Sequence, residues 1–115
     1  MIIGIGTDIC SISRFEDEEK RGSLIARFFT ENERTYVESR GKGAAASAAA
    51  VFAAKEACAK ALGTGFRGFG PSEIEVVHNE DGNRLTGWSG KHHSLPTGRA
   101  STGRTCRFRT TAVRP

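Results

Sequence analysis

A chain of 115 residues is long enough for one domain with a modest core and too short for two. Its net charge of +4 is unevenly spread, because residues 1–85 hold all 13 acidic side chains and residues 86–115 hold none. No apolar run is long enough to span a bilayer, and the first residues lack the pattern of a signal peptide. We therefore expect a soluble, cytoplasmic protein with no membrane partner.

The three cysteines, Cys10, Cys58 and Cys106, are widely spaced and include no C-x-x-C pair. An odd number of scattered cysteines favours reduced thiols in a reducing compartment over a disulfide framework or a zinc site. Cys58 is surrounded by alanines, and we expect it to be a small core residue.

The first predicted element is a strand over residues 1–9. Ile3 and Ile5 alternate with glycines, which leave one face bare enough to pack closely against a helix or a neighbouring chain. Asp8 comes at the end of this strand, where a carboxylate can face a cleft. The alternative role for Asp8 is to cap the following turn or helix.

The next stretch predicts short helices. Residues 12–20 fit a short amphipathic helix, and the apolar residues between 24 and 29 fit further helical turns that dock on the core. Thr30 and Glu33 have the spacing of a capping box, in which each side chain bonds to the other residue's backbone amide. This pattern predicts a helix over residues 31–39.

An alanine-rich segment predicts a long helix over residues 44–62, with Gly63 as the residue that ends it. At about 3.6 residues per turn, Phe52, Glu56 and Lys60 lie on one face of this helix. A carboxylate and an ammonium that share one face are candidates for catalysis. The alternative is an exposed Glu56–Lys60 ion pair, worth a few tenths of a kcal/mol.

Residues 73–78 predict a second strand, and Asp81-Gly82 is the preferred dipeptide of a hairpin turn. The strand expected to return after that turn is only weakly patterned. The sequence then becomes acid-free and rich in Ser, Thr, Gly and Arg, with too few apolar residues to offset the entropy of ordering. We therefore predict an incomplete domain over residues 1–87 and a basic, disordered tail over residues 88–115.

Two motifs taken together resemble the holo-[acyl-carrier-protein] synthases, the small bacterial 4′-phosphopantetheinyl transferases. They are Ile3-Gly4-Ile5-Gly6-Thr7-Asp8-Ile9 and Phe52-Ala53-Ala54-Lys55-Glu56-Ala57 with Lys60-Ala61-Leu62-Gly63-Thr64-Gly65. The resemblance covers residues 1 to about 85. It implies an α+β fold in which a long helix packs on a small antiparallel sheet. The C-terminal strands of that sheet are expected to be missing or disordered in this chain.

The resemblance also implies an activity. A member of this family transfers 4′-phosphopantetheine from coenzyme A to a serine of apo acyl carrier protein, with Mg²⁺, for fatty acid biosynthesis. Carried over by position, Asp8 and Glu56 are the metal ligands, and Lys60 is the cation beside the pyrophosphate. These three are the implied catalytic residues. Their chemistry suits phosphoryl transfer, which depends mainly on positioning and on neutralising charge.

Binding roles are implied in the same way. Lys60, Gly63, Thr64 and Gly65 would line the coenzyme A site, and Arg14 would belong to the surface that meets the acidic carrier protein. The family's homotrimer, with sites between neighbouring chains, is also implied. Loss of the C-terminal strands would break that assembly.

Two other hypotheses remain open. An out-of-frame translation of the last third of the domain would leave an inactive, truncated relative. Alternatively, the basic tail would bind nucleic acid through its charge, since such segments attract phosphate backbones. The second hypothesis is disfavoured, because aromatic residues are not interleaved with the basic ones and no nucleic-acid-binding motif is present.

Overall fold

The computed structural model describes residues 5–63, 65–67, 69–78, 84–88 and 106–107. Within these ranges the helices are α1 (Glu18–Phe28), α2 (Glu31–Glu38) and α3 (Ala44–Ala61). Short 3₁₀ helices lie at Ile12–Phe15, Gly41–Gly43 and Pro71–Glu73. The strands β1 (Ile74–His78), β2 (Arg84–Trp88) and β3 (Cys106–Arg107) form an antiparallel sheet in the order β1-β2-β3.

The beginning of the chain differs from its predicted elements. Residues 5–9 have no regular secondary structure; the segment lies against α3, and the carbonyl of Thr7 accepts a hydrogen bond from Lys60 at 3.1 Å. The first four residues of the predicted strand lie outside the described ranges. The helix predicted over residues 12–20 is divided, because Asp17 accepts a hydrogen bond from the Lys20 amide at 2.8 Å and caps a new helix, α1.

The predicted capping box of α2 is confirmed. Thr30 Oγ1 accepts a hydrogen bond from the Glu33 amide at 3.3 Å, and the Thr30 amide donates to Glu33 Oε2 at 2.8 Å. Two amides that have no partner inside the helix are satisfied in this way. As a result, α2 begins at Glu31, as the sequence predicts.

Helix α3 is the centre of the core. Its Phe52 ring packs between Phe15 and Phe28, with ring centroids 5.9 Å away on each side. Most of its other buried residues are alanines, so neighbouring elements approach its backbone closely. Gly63 has φ +79 and its amide donates to the Lys60 carbonyl at 2.9 Å, which confirms the predicted helix end.

The sheet packs on α3 through β1, whose Ile74 and Val76 are buried. The weakly patterned return strand is present as β2, and it pairs with β1 along its whole length, from Ile74 opposite Trp88 to His78 opposite Arg84. The predicted turn at Asp81-Gly82 lies outside the described residues.

The sheet also includes part of the segment that the sequence predicts to be disordered. Cys106–Arg107 pairs with β2, opposite Thr86 and Leu85. Backbone pairing of this kind depends on a neighbouring strand and not on local apolar content, so composition alone does not predict it. The rest of the predicted tail lies outside the described residues. Among the described helices, none is both long and apolar enough to cross a membrane.

Candidate active site

The site is formed where the N-terminal segment crosses the C-terminal half of α3. A Cβ atom placed on Gly6 would overlap the carbonyl oxygen of Ala57 and would lie 2.7 Å from the amide nitrogen of Ala61. Only glycine allows so close an approach to the helix backbone. Asp8, two residues farther along, is thereby brought next to α3.

Asp8 forms an ion pair with Lys60 of α3. The Nζ atom of Lys60 donates to Asp8 Oδ1 at 2.8 Å and to the Thr7 carbonyl at 3.1 Å. The Lys60 side chain is 53% exposed and that of Asp8 is 17% exposed. The ion pair expected within the helix, between Glu56 and Lys60, is therefore replaced by a contact between two elements.

A cleft of about 460 Å³ lies beside this ion pair. It is lined by Asp8, Ile9, Cys10, Ser11, Arg14, Phe52 and Glu56. The prediction that Phe52 and Glu56 share a face is confirmed, and the cleft brings Glu56 together with Asp8. Gly63 and Gly65 are not part of its lining, and Thr64 lies outside the described residues.

The negative charge of the Glu56 carboxylate is only partly offset by nearby positive charges. Burial raises its pKa above the ordinary value and the negative charge of Asp8 raises it further, while Lys60 and Arg14 act in the opposite direction. Within the described ranges, no hydrogen bond or ion pair engages the Glu56 side chain. Two acidic side chains therefore line one cleft with spare capacity for a cation.

The chemistry of the cleft suits a hard cation with oxygen ligands. Burial raises the pKa of the Cys10 thiol, so this side chain is protonated at neutral pH and does not offer a thiolate. Among the described residues, no three His, Cys, Asp or Glu side chains form a metal-binding group. Mg²⁺ fits such a site, since it commonly takes one or two carboxylates and completes its shell with phosphate oxygens and water.

Arg14 forms part of the cleft wall. Its guanidinium carbon lies 4.8 Å from the centroid of the Phe52 ring, a cation–π geometry that holds an otherwise exposed side chain in place. The predicted position on the first helix is thus confirmed in part. The residue belongs to the 3₁₀ turn at Ile12–Phe15, and it borders the same cleft as the two acids.

Sequence reasoning missed the buried ion pair between Lys55 and Glu33. Lys55 Nζ lies 2.7 Å from Glu33 Oε2, and the two side chains are 1% and 0% exposed. The signal available in the sequence was the position of Lys55 on the alanine-rich helix, since residues three and four away are apolar and share its face. Its partner comes from α2, 22 residues earlier, and no local pattern identifies it.

The family model of the 4′-phosphopantetheinyl transferase superfamily matches residues 4–104. The chain belongs to this superfamily. It is 50% identical over 97 residues to the holo-[acyl-carrier-protein] synthase of Clostridium beijerinckii, a match that covers 83% of this chain and 77% of the relative. The range matched by the family model extends past residue 85, where the recognisable sequence motifs end.

Solved structures of the same family have the same fold. A holo-(acyl-carrier-protein) synthase from Bacillus anthracis, in complex with CoA (3′,5′-ADP), matches with a TM-score of 0.68 at 36% identity, covering 81% of each chain. The enzyme from Neisseria meningitidis gives a TM-score of 0.67 at 37% identity, covering 76% of this chain and 72% of that one. The predicted α+β fold and the enzyme class, a phosphopantetheinyl transferase of the holo-[acyl-carrier-protein] synthase type, are confirmed.

Proposed function

We propose that this chain transfers 4′-phosphopantetheine from coenzyme A to a serine of apo acyl carrier protein, in a Mg²⁺-dependent reaction that serves fatty acid biosynthesis. The observation that carries the proposal is the convergence of Asp8 and Glu56 on one cleft beside Lys60. Family membership supports the reaction class, and the cleft supplies the residues that such a reaction needs.

Asp8 and Glu56 are the residues that would hold Mg²⁺. They come from two elements pressed together at Gly6, so their relative position depends on backbone packing and not on flexible side chains alone. When bound, Mg²⁺ would neutralise the charge of the coenzyme A pyrophosphate. Its charge would also offset the two causes that raise the pKa of Glu56, which are burial and, to a smaller extent, the negative charge of Asp8.

The reaction forms one phosphorus–oxygen bond and breaks another. The serine oxygen attacks the phosphorus that carries the pantetheine arm, and adenosine 3′,5′-bisphosphate leaves with the electron pair of the broken bond. The serine proton passes to one of the carboxylates that line the cleft. Lys60, half-exposed beside Asp8, stabilises or protonates the leaving phosphate.

The remaining proposed roles concern binding. Gly63 and Gly65, with φ +79 and +59, form the turn just beyond Lys60, where with Thr64 they would contact coenzyme A. Arg14 offers an exposed cation at the cleft wall to the acidic carrier protein. We place the reaction in the cytoplasm, and the widely spaced cysteines of the sequence, which include no C-x-x-C pair, accord with a reducing compartment.

The test is direct transfer. The purified chain is incubated with coenzyme A, Mg²⁺ and the apo carrier protein of fatty acid synthesis, and the carrier protein is examined by mass spectrometry. We expect the mass gain of one phosphopantetheine group. We also expect that Asp8→Asn and Glu56→Gln abolish the gain, whereas Glu38→Gln, which removes an exposed acid on α2, preserves it.

A wild-type chain that leaves the carrier protein unmodified, when a known phosphopantetheinyl transferase modifies the same sample, would overturn the proposal. That outcome would favour the inactive relative. If the wild type is active and the Asp8→Asn and Glu56→Gln variants are active as well, the assignment of the site is overturned instead.

A further inference from the structure

The buried pair of Lys55 and Glu33 connects α3 to elements on several sides. Lys55 Nζ donates to the carbonyl oxygens of Phe28 and Pro71, each at 2.8 Å, and lies 2.7 Å from Glu33 Oε2. Glu33 in turn accepts from the amides of Thr30 and Val76 at 2.8 and 2.7 Å. One lysine on α3 is thus fixed by the end of α1, by α2, by the turn before β1 and, through Glu33, by β1 itself.

Two other contacts hold this half of the helix: the close approach of Gly6 to Ala57 and Ala61, and the exposed pair of Lys60 with Asp8. Beyond Phe52, the buried residues of α3 are Lys55, Cys58 and alanines. Alanine methyl groups are small, so each contributes only a few contacts that would be lost if the helix turned about its axis. Lys55 is therefore the one long buried side chain in the half of α3 that also carries Glu56 and Lys60.

Lys55 and Glu56 are consecutive residues, about 100° apart around the helix. A contact that fixes the direction of Lys55 also fixes the direction of Glu56, because the helix backbone between them is rigid. We propose that Lys55 is a positioning residue whose buried pair with Glu33 holds Glu56 toward Asp8 in the cleft. This inference rests on the proposed function, in which Glu56 and Asp8 act together.

A buried ion pair can fix the orientation of a helix even where it adds little to stability. A buried ion pair contributes little net stability, since the loss of hydration offsets much of the attraction. It does penalise alternative packings strongly, because any rotation of α3 would leave the charges of Lys55 and Glu33 and the carbonyl groups of Phe28 and Pro71 without their partners. Apolar residues in the same places would not make that distinction.

The test replaces both charges together. In the variant Lys55→Met with Glu33→Gln, no buried charge is left without a partner, so the protein can fold while the specific contacts are lost. Val37→Ala, which truncates a buried side chain of α2, is the control for a general loss of packing. Both are compared with the wild type for melting temperature, for kcat and KM, and for the affinity of Mn²⁺ measured by electron paramagnetic resonance.

We expect the double variant to lose at least about tenfold in kcat and in Mn²⁺ affinity, the size of effect seen when a residue that supports a metal ligand is removed. Its KM for carrier protein should change little, because Arg14 lies on another element. Val37→Ala should keep kcat and Mn²⁺ affinity within about twofold at a comparable drop in melting temperature. Equal losses in the two variants would overturn the proposal, since the pair would then be structural only.

A second variant and a second measurement complete the test. If the double variant does not fold, Glu33→Gln, which keeps the size and shape of the side chain, is judged by the same criteria. A crystal structure of the folded variant then reports on the positioning without any activity. We expect the Glu56 side chain to be turned out of the cleft that it shares with Asp8 in the wild type. An unchanged position of Glu56 would refute the positioning role even if the wild type proved inactive, whereas inactivity alone would refute only the proposed function.

Discussion

Helix α3 contributes a lysine to each of two ion pairs that differ in how much water reaches them. The side chains of Lys55 and Glu33 are 1% and 0% exposed, and four backbone groups complete their hydrogen bonds. The side chains of Lys60 and Asp8 are 53% and 17% exposed, and a second acid, Glu56, lines the adjacent cleft.

The difference shows that environment, and not residue type, separates a pair closed to ligands from one that a ligand can reach. Burial raises the pKa of Glu33 and lowers that of Lys55, against their mutual attraction, so each charge depends on the other and on the surrounding backbone. Such a pair has no capacity left for a ligand. The open pair retains exposed donors and acceptors, as a substrate or metal site must.

The largest effect is expected when one partner of the buried pair is removed. Lys55→Met leaves the Glu33 carboxylate buried without its counter-charge, and we expect the free energy of unfolding to fall by about 3–5 kcal/mol. Urea unfolding followed by circular dichroism measures this. The double variant with Glu33→Gln should be less destabilised than Lys55→Met alone, and the opposite order would contradict the account.

The next largest effect is expected where Gly6 lies against α3, the contact that brings Asp8 to Lys60. Gly6→Ala places a methyl group against the α3 backbone, and we expect a loss of about 1–3 kcal/mol in unfolding free energy together with a loss of transfer activity. Gly22→Ala is the matched control. Gly22 is an exposed glycine inside α1 with open space around its Cα, so alanine there should stabilise the fold by about 0.5–1 kcal/mol. Equal effects of the two substitutions would refute the proposed contact.

Lys60 should affect stability much less than Lys55 does. Its pair with Asp8 is half-exposed, so Lys60→Gln should cost less than about 1 kcal/mol of stability. The same substitution should lower kcat by about 10²-fold, because the cation assigned to the leaving phosphate is lost. Thermal unfolding and the carrier-protein transfer assay, run on one preparation, give both values. A large loss of stability with unchanged kcat would contradict the role assigned to Lys60 at the leaving phosphate.

The smallest expected effect concerns pH. Burial and the charge of Asp8 raise the pKa of Glu56 in the folded chain, so the folded state favours its protonated form more than the unfolded state does. Without metal, the stability contributed by protonated Glu56 is present at acid pH and is lost as pH rises past the unfolded value and through the raised folded one. Glu56→Gln should therefore be more stable than the wild type at pH 7, with a smaller difference at pH 4. Denaturant unfolding at the two pH values checks the sign.

The local features of the fold could be predicted from the sequence. The capping box at Thr30 and Glu33, the extent of α3 and its end at Gly63 follow from short-range chemistry, and the structure confirms them. The shared face of Phe52 and Glu56 follows from helical periodicity in the same way.

The ion pairs and the last strand pairing could not be predicted, because they depend on contacts between residues far apart in the sequence. Lys60 pairs with Asp8, 52 positions earlier, and not with Glu56 one turn away, because Gly6 brings the N-terminal segment onto the helix. The partner of Lys55 likewise lies on another helix. The strand pairing at Cys106–Arg107 was missed because a return strand can be selected by its neighbour even where its own composition is unfavourable.

The central claim is that Asp8 and Glu56, which line the cleft beside Lys60, form the metal site, and that the buried pair of Lys55 and Glu33 does not. The most direct measurement is the binding of Mn²⁺ to the chain alone, followed by electron paramagnetic resonance, for the wild type, Asp8→Asn, Glu56→Gln and the control Glu38→Gln. The account predicts that Asp8→Asn and Glu56→Gln each weaken Mn²⁺ binding by at least about tenfold while Glu38→Gln leaves it unchanged. Equal Mn²⁺ affinity in all four proteins would contradict it.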